Sequence, residues 1–155
     1  MDDWPDAKIR NNADWYIRKH AMDPESWRYT RLADHHPEVV SHFGLQSGEL
    51  LIVTSYISDS SWYALTTRRI VGTHDGSDID LAATDISDDR FGNFKGYGDA
   101  QTEVMVLIDT AQRASRLEYE TGKASMGPIY YFRFWSIKYA ILDMLKDDPH
   151  NANEA

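Results

Sequence analysis

The chain has 155 residues, carries a formal net charge of −9, is 42% hydrophobic and contains no cysteine. That length and apolar fraction support one domain with a substantial core and argue against disorder. The missing thiols exclude a disulfide framework, Cys-based metal sites and a thiol nucleophile, and the negative charge disfavours bulk binding to nucleic acid or to an anionic membrane surface.

The opening stretch Asp2-Asp3-Trp4-Pro5-Asp6 has no signal-peptide pattern, and no apolar run reaches the roughly 18 residues of a membrane span. With the absence of cysteine, this predicts a cytoplasmic protein. Ile9, Ala13, Tyr16, Ile17 and His20 recur at three- and four-residue spacing, which predicts a helix from about Pro5 to His20. Asp23-Pro24-Glu25 reads as the start of a second helix carrying Trp27 and Leu32, and His36-Pro37 as the start of a short turn ending at Gly44, with Val39, Val40 and Phe43 apolar. Residues 1–45 are thus expected to form a helical extension packed on the rest.

At Gly48 the period changes. Glu49 to Ile57 predicts a strand apolar on both faces, hence central or covered. Ser58 to Ser61 is a turn, Trp62 to Leu65 and Arg69 to Thr73 are β-rich, and Asp75-Gly76 is a hairpin signal. Ile79 to Ile86 predicts a further strand, Ser87 to Gly98 a loop with a short strand around Phe91 to Lys95, and Thr102 to Ile108 and Ser115 to Glu120 the last two strands.

Ser125 to Lys146 predicts a closing helix, with Ser125 as N-cap, Pro128 in the first turn and Asp147-Asp148-Pro149 ending it. Tyr130, Phe134, Ile137, Ile141, Met144 and Leu145 form one apolar stripe; Tyr131, Trp135 and Leu142 form a second beside it. So broad an apolar arc needs two surfaces to bury it. The expected fold is α+β: a strongly bent antiparallel sheet of about seven strands, a partly open barrel stoppered by the C-terminal helix over residues 46–149, with residues 150–155 as a frayed tail. A protruding aromatic stripe on that helix would instead offer a homodimer seam.

That order of elements, with Trp62 to Gly72 reading W-Y-A-L-T-T-R-R-I-V-G, resembles bacterial pleckstrin-homology-like proteins, including the GRAM-like group. The likeness rests on Leu65-Thr66-Thr67-Arg68-Arg69-Ile70-Val71, on Phe91 to Gly96 and on Glu120 to Met126, and spans about Gly48 to Asp148. It implies a bent seven-stranded sheet capped by a helix. It implies no single ligand, because that architecture serves lipid, peptide and protein recognition alike. The first hairpin, Tyr56 to Trp62, holds Asp59 and no basic residue, which argues against phosphoinositide binding.

No residue set identifies a reaction, a cofactor or a metal site. His35, His36 and His42 lack matched carboxylate spacing for a metal, Thr73 to Asp80 lacks the calcium-loop pattern, and Ser55, Ser60 and Ser61 lack a nucleophile-elbow context. Arg68-Arg69 suits an anion, or a salt bridge to a carboxylate such as Glu103 or Glu118. Trp62, Tyr63, Trp135 and Tyr139 read as core packing rather than an exposed aromatic face. The loop from Asp88 to Gly98 mixes aromatics, cations and glycines, which suits recognition. Arg90, Phe91, Phe94, Lys95 and Tyr97, with Arg68, are therefore the candidate binding residues. The functional expectation is a non-enzymatic protein-binding module, of adaptor or immunity type, meeting a protein partner that is basic. The other reading is a small-ligand or lipid-binding domain with a cavity beside the C-terminal helix and Arg68 or Lys95 at its mouth.

Overall fold

The computed structural model describes residues 4–33 and 36–147, with side chains through residue 137. Three helices and eight strands appear among them. Helix α1 (Asp6–His20) is followed by strand β1 (Thr30–Leu32) and the single turn α2 (Pro37–Val40). Strands β2 (Leu51–Ser58), β3 (Ser61–Thr66), β4 (Arg69–His74) and β5 (Ser77–Ala82) complete a five-stranded antiparallel sheet in the order β1-β2-β3-β4-β5. Strands β6 (Ile86–Arg90), β7 (Thr102–Asp109) and β8 (Ala114–Glu120) form a second antiparallel sheet. Helix α3 (Met126–Asp147) closes the chain.

The α+β plan holds, with two sheets rather than one bent sheet. The break falls inside the strand expected over Ile79 to Ile86. There a 3-10 turn (Ala83–Asp85) ends β5 and hands the chain to the other layer. The Ala83 amide donates to the Arg68 carbonyl of the first sheet, and the Asp85 carbonyl accepts from the Thr110 amide beside the second. One short turn is thus bonded to both layers, and the pairing cannot run through it.

Residues 27–32 do not form the expected second helix. Pro24–Ser26 makes only a 3-10 turn, and β1 then pairs with β2 as Thr30↔Ser55 and Leu32↔Val53. The cause lies 90 residues away. Glu120 accepts the amides of Arg28, Tyr29 and Thr30 and the Thr30 hydroxyl, all at 2.8–3.0 Å. A carboxylate that collects three successive N–H groups holds them extended and away from helical partners.

The two sheets and both long helices share one core. Tyr63, Leu65 and Ile70 from the first sheet meet Met105, Leu107, Leu117 and Tyr119 from the second. Tyr131, Phe132, Phe134 and Trp135 of α3 and Ile9, Ala13 and Ile17 of α1 complete it. Ser125 does not cap α3; it sits in a preceding 3-10 turn (Gly122–Ser125), its hydroxyl donating to the Gly122 carbonyl at 2.6 Å. Trp135 and Tyr131 of the second stripe are buried inside the chain; Tyr139, Ile141, Leu142, Met144 and Leu145 lie outside the described side chains, as His35 and residues 150–155 lie outside the described residues. The outer face of the first sheet is covered too, by Val39 of α2 and by Phe43 over Leu51, Trp62, Ala64 and Val71. That second cover explains why β2 is apolar on both faces.

Candidate functional site

The loop between β6 and β7 begins inside the core. Phe91 is buried edge-on against Tyr119 and near Phe132, and its carbonyl accepts the Tyr119 hydroxyl. Phe94 is partly buried against the same core. These two rings root the loop, leaving Lys95, Tyr97 and Asp99 outside.

The loop backbone is tied down along its length. Asn93 acts as a bracket: its side-chain amide donates to the Tyr97 carbonyl at 2.9 Å, and its Oδ1 accepts the Tyr97 amide at 3.0 Å. The Asn93 amide reaches Glu103, the Gly122 amide donates to the Phe94 carbonyl, and Thr121 Oγ1 donates to the Ala100 carbonyl at 2.6 Å. Gly96, at φ 76°, must be glycine: a Cβ there would lie 2.9 Å from the Ala100 carbonyl and 3.0 Å from the Thr121 hydroxyl. Tyr97 follows directly and is 73% exposed, more than Trp15 of α1 at 62%. A large ring is thus held out on a fixed backbone.

The candidate residues separate accordingly. Arg90, Lys95 and Tyr97 are exposed at this loop, with Arg90 Nε bonded to Asp88 at 3.2 Å. Phe91 and Phe94 support it from below. Arg68 is elsewhere, in the turn between β3 and β4. Its guanidinium donates to Asp6 at 2.8 and 3.1 Å, to Gln46 at 3.2 Å and to the Ser47 carbonyl at 2.7 Å. Arg68 therefore fastens α1 to the sheet. Arg69 pairs with Glu49 and Asp80 rather than with Glu103 or Glu118.

Two arrangements had no signal in the sequence, because their members are far apart along it. Between β6 and α3 lies an open cleft of about 280 Å³, lined in part by Asp88, Asp89, Phe132 and Trp135. Burial first, and the neighbouring Asp88 charge second, push the Asp89 carboxyl above its ordinary range, while Arg133 pulls the other way. The second arrangement joins the sheets. Ser61 Oγ donates to Glu118 at 2.6 Å, Thr102 Oγ1 donates to the other carboxylate oxygen at 2.6 Å, and His74 Nδ1 lies 3.5 Å from the serine and 3.8 Å from the glutamate. In a hydrolytic triad the imidazole stands between hydroxyl and carboxylate. Here the serine proton goes straight to the carboxylate, so the group works as a clasp between β3, β7 and β8.

The other histidines among the described residues are dispersed. His36 Nε2 is 2.8 Å from the Tyr29 carbonyl, and burial lowers its pKa. His42 stacks between Tyr56 and Trp62, and His20 stacks on Tyr130. Among the described residues no group of three or more such side chains could hold a metal, and no helix is long and apolar enough to cross a membrane. The chain matches no family model, no curated protein and no solved structure.

Proposed function

We propose that this chain is a non-enzymatic protein-binding module of pleckstrin-homology-like architecture, acting in the cytoplasm as an adaptor or immunity-type protein. Two facing antiparallel meanders shut by a terminal helix support the architectural part. The observation that carries the functional part is Tyr97, an exposed ring on a loop whose backbone is bracketed by Asn93 and fixed to Thr121. An ordered loop loses little conformational entropy on association, and tyrosine supplies large contact area with few rotors. Lys95 and Asp99 beside it provide a polar rim of the kind interfaces carry. The net charge of −9 favours a basic partner.

The test is affinity capture from a lysate of the source organism, with wild-type protein and the Tyr97→Ala/Lys95→Ala variant as matched baits. A protein retained by wild type is expected to be reduced at least tenfold on the variant, since truncating a hot-spot tyrosine costs about 2 kcal/mol or more, about 30-fold in affinity. Equal recovery on both baits would remove the loop from the interface.

A further inference from the structure

The cleft between β6 and α3 joins two kinds of surface. Phe132 and Trp135 give it aromatic walls; Thr84, Ser87, Asp88 and Asp89 give it a polar side. Asp89 is the unusual member. Its side chain is half buried, and no hydrogen bond or ion pair from the described residues reaches its carboxylate. The comparable carboxylates are all engaged: Asp6 by Arg68, Glu49 by Arg69, Asp109 by Arg113, Glu120 by three backbone amides. Asp88 is taken by Arg90. Arg133 attracts it through space but forms no hydrogen bond or ion pair with it. A carboxylate partly withdrawn from water and bonded to no cation raises the free energy of the molecule until one docks on it.

We infer that this cleft receives a lysine or arginine side chain of the partner protein. Asp89 would pair with the cationic head, and the exposed margins of Phe132 and Trp135, otherwise buried, would meet its stem. The site is open, and its volume of about 280 Å³ lies just below the roughly 300–1,000 Å³ of small-ligand pockets, which suits one inserted side chain. Strand β6 (Ile86–Arg90) carries Asp88 and Asp89 of the cleft and leads directly into the Tyr97 loop, so one strand joins the two surfaces. The inference rests on the protein-binding reading of that loop and specifies the chemistry of the partner.

The test is a ¹⁵N-resolved NMR titration of the full chain with three probes: Ac-Gly-Arg-Gly-amide, Ac-Gly-Lys-Gly-amide and the uncharged Ac-Gly-norleucine-Gly-amide. The basic probes are expected to shift the Trp135 indole N–H and the amides of residues 84–89 saturably. Binding is expected to weaken at least tenfold in Asp89→Asn and to vanish in Ser136→Lys, which lodges a cation of the chain's own at the cleft. Both changes leave the core untouched, and matching spectra elsewhere verify the fold. No saturable shift at Trp135, or one unchanged in Asp89→Asn, overturns the inference. So does equal binding of the norleucine peptide, and so does tighter binding of spermidine than of either basic peptide, which would assign the cleft to a free polyamine. Tyr97→Ala is expected to bind these probes as wild type does. Failure of the loop reading and failure of this one are therefore seen separately.

Discussion

Glu49 has a side chain with no solvent exposure, yet it remains charged. Burial works against that charge, but Arg69 donates to it through Nε at 2.9 Å and Nη2 at 3.0 Å, Thr66 Oγ1 at 2.6 Å and the Gln46 amide at 2.9 Å. The hydrogen bonds win, and its carboxyl lies below the ordinary value of 4.5. A carboxyl depressed by folding adds stability above its unfolded pKa and loses it as pH falls through the folded one. Glu49→Ala is therefore expected to cost about 3 kcal/mol at pH 7, because Arg69 keeps only Asp80 as a charged partner. Urea titrations at pH 7 and pH 3 are expected to show that difference shrinking below about pH 4.5. Asp89 behaves in the opposite way. Its raised carboxyl means that ionisation costs the folded state, so Asp89→Asn is expected to raise Tm at pH 7 by up to about 2 °C. That gain should vanish below pH 3.8, where the aspartate is neutral in both states. A thermal melt at each pH decides it, and a destabilised variant at pH 7 would mean that the carboxylate has a partner.

Among the elements, the β4–β5 hairpin was the most legible in the sequence. Asp75 and Gly76 adopt φ 51° and 78°, and the pair His74↔Ser77 closes a two-residue turn. Positive φ at both positions is what Asp-Gly supplies at low cost. Strand β1 was not legible, because the cause of its extended backbone is Glu120 on the far side of the molecule. The split between β5 and β6 was hidden for a related reason: alternation is the same whichever sheet a strand joins. At Gly72 the two layers come close together. A Cβ there would lie 2.6 Å from the Trp62 carbonyl, 2.8 Å from Leu117 Cδ2 of β8 and 3.0 Å from Tyr63 Cβ. Backbone cannot yield as a flexible side-chain tip can. Gly72→Ala is expected to cost about 1–3 kcal/mol by denaturant unfolding, and an effect under 0.5 kcal/mol would mean that the two sheets are not held at this spacing.

At the scale of the whole molecule, α1 is a member of the core rather than an appendage. Ile17 and Ala13 are fully buried, Tyr16 and His20 pack on Tyr130 of α3, and Asp6 is bonded to Arg68 and Thr67 at the sheet. Ile17→Ala is thus expected to lower global stability by about 2–5 kcal/mol while unfolding stays a single transition. Two transitions, with only the first one shifted, would show that α1 detaches on its own. The candidate site divides along the same line. Its composition was readable in advance, because aromatics, cations and glycines cluster within one segment. Which rings face in was not, since Phe91 and Tyr97 differ only in where the folded core lies.

What the sequence determined alone is whatever acts within a few residues: the spans of α1 and α3, the Asp-Gly turn and the doubly apolar β2. Short-range sterics and hydrophobic periodicity are sufficient for these. The short strand expected around Phe91 to Lys95 instead lies at Ile86–Arg90, and residues 91–95 are loop. The two-sheet division, β1, the Arg68 tether to Asp6 and the half-buried Asp89 beside Phe132 and Trp135 were decided only in three dimensions. Each depends on side chains that meet after the chain has closed on itself, and such meetings leave no periodic trace in the order of residues.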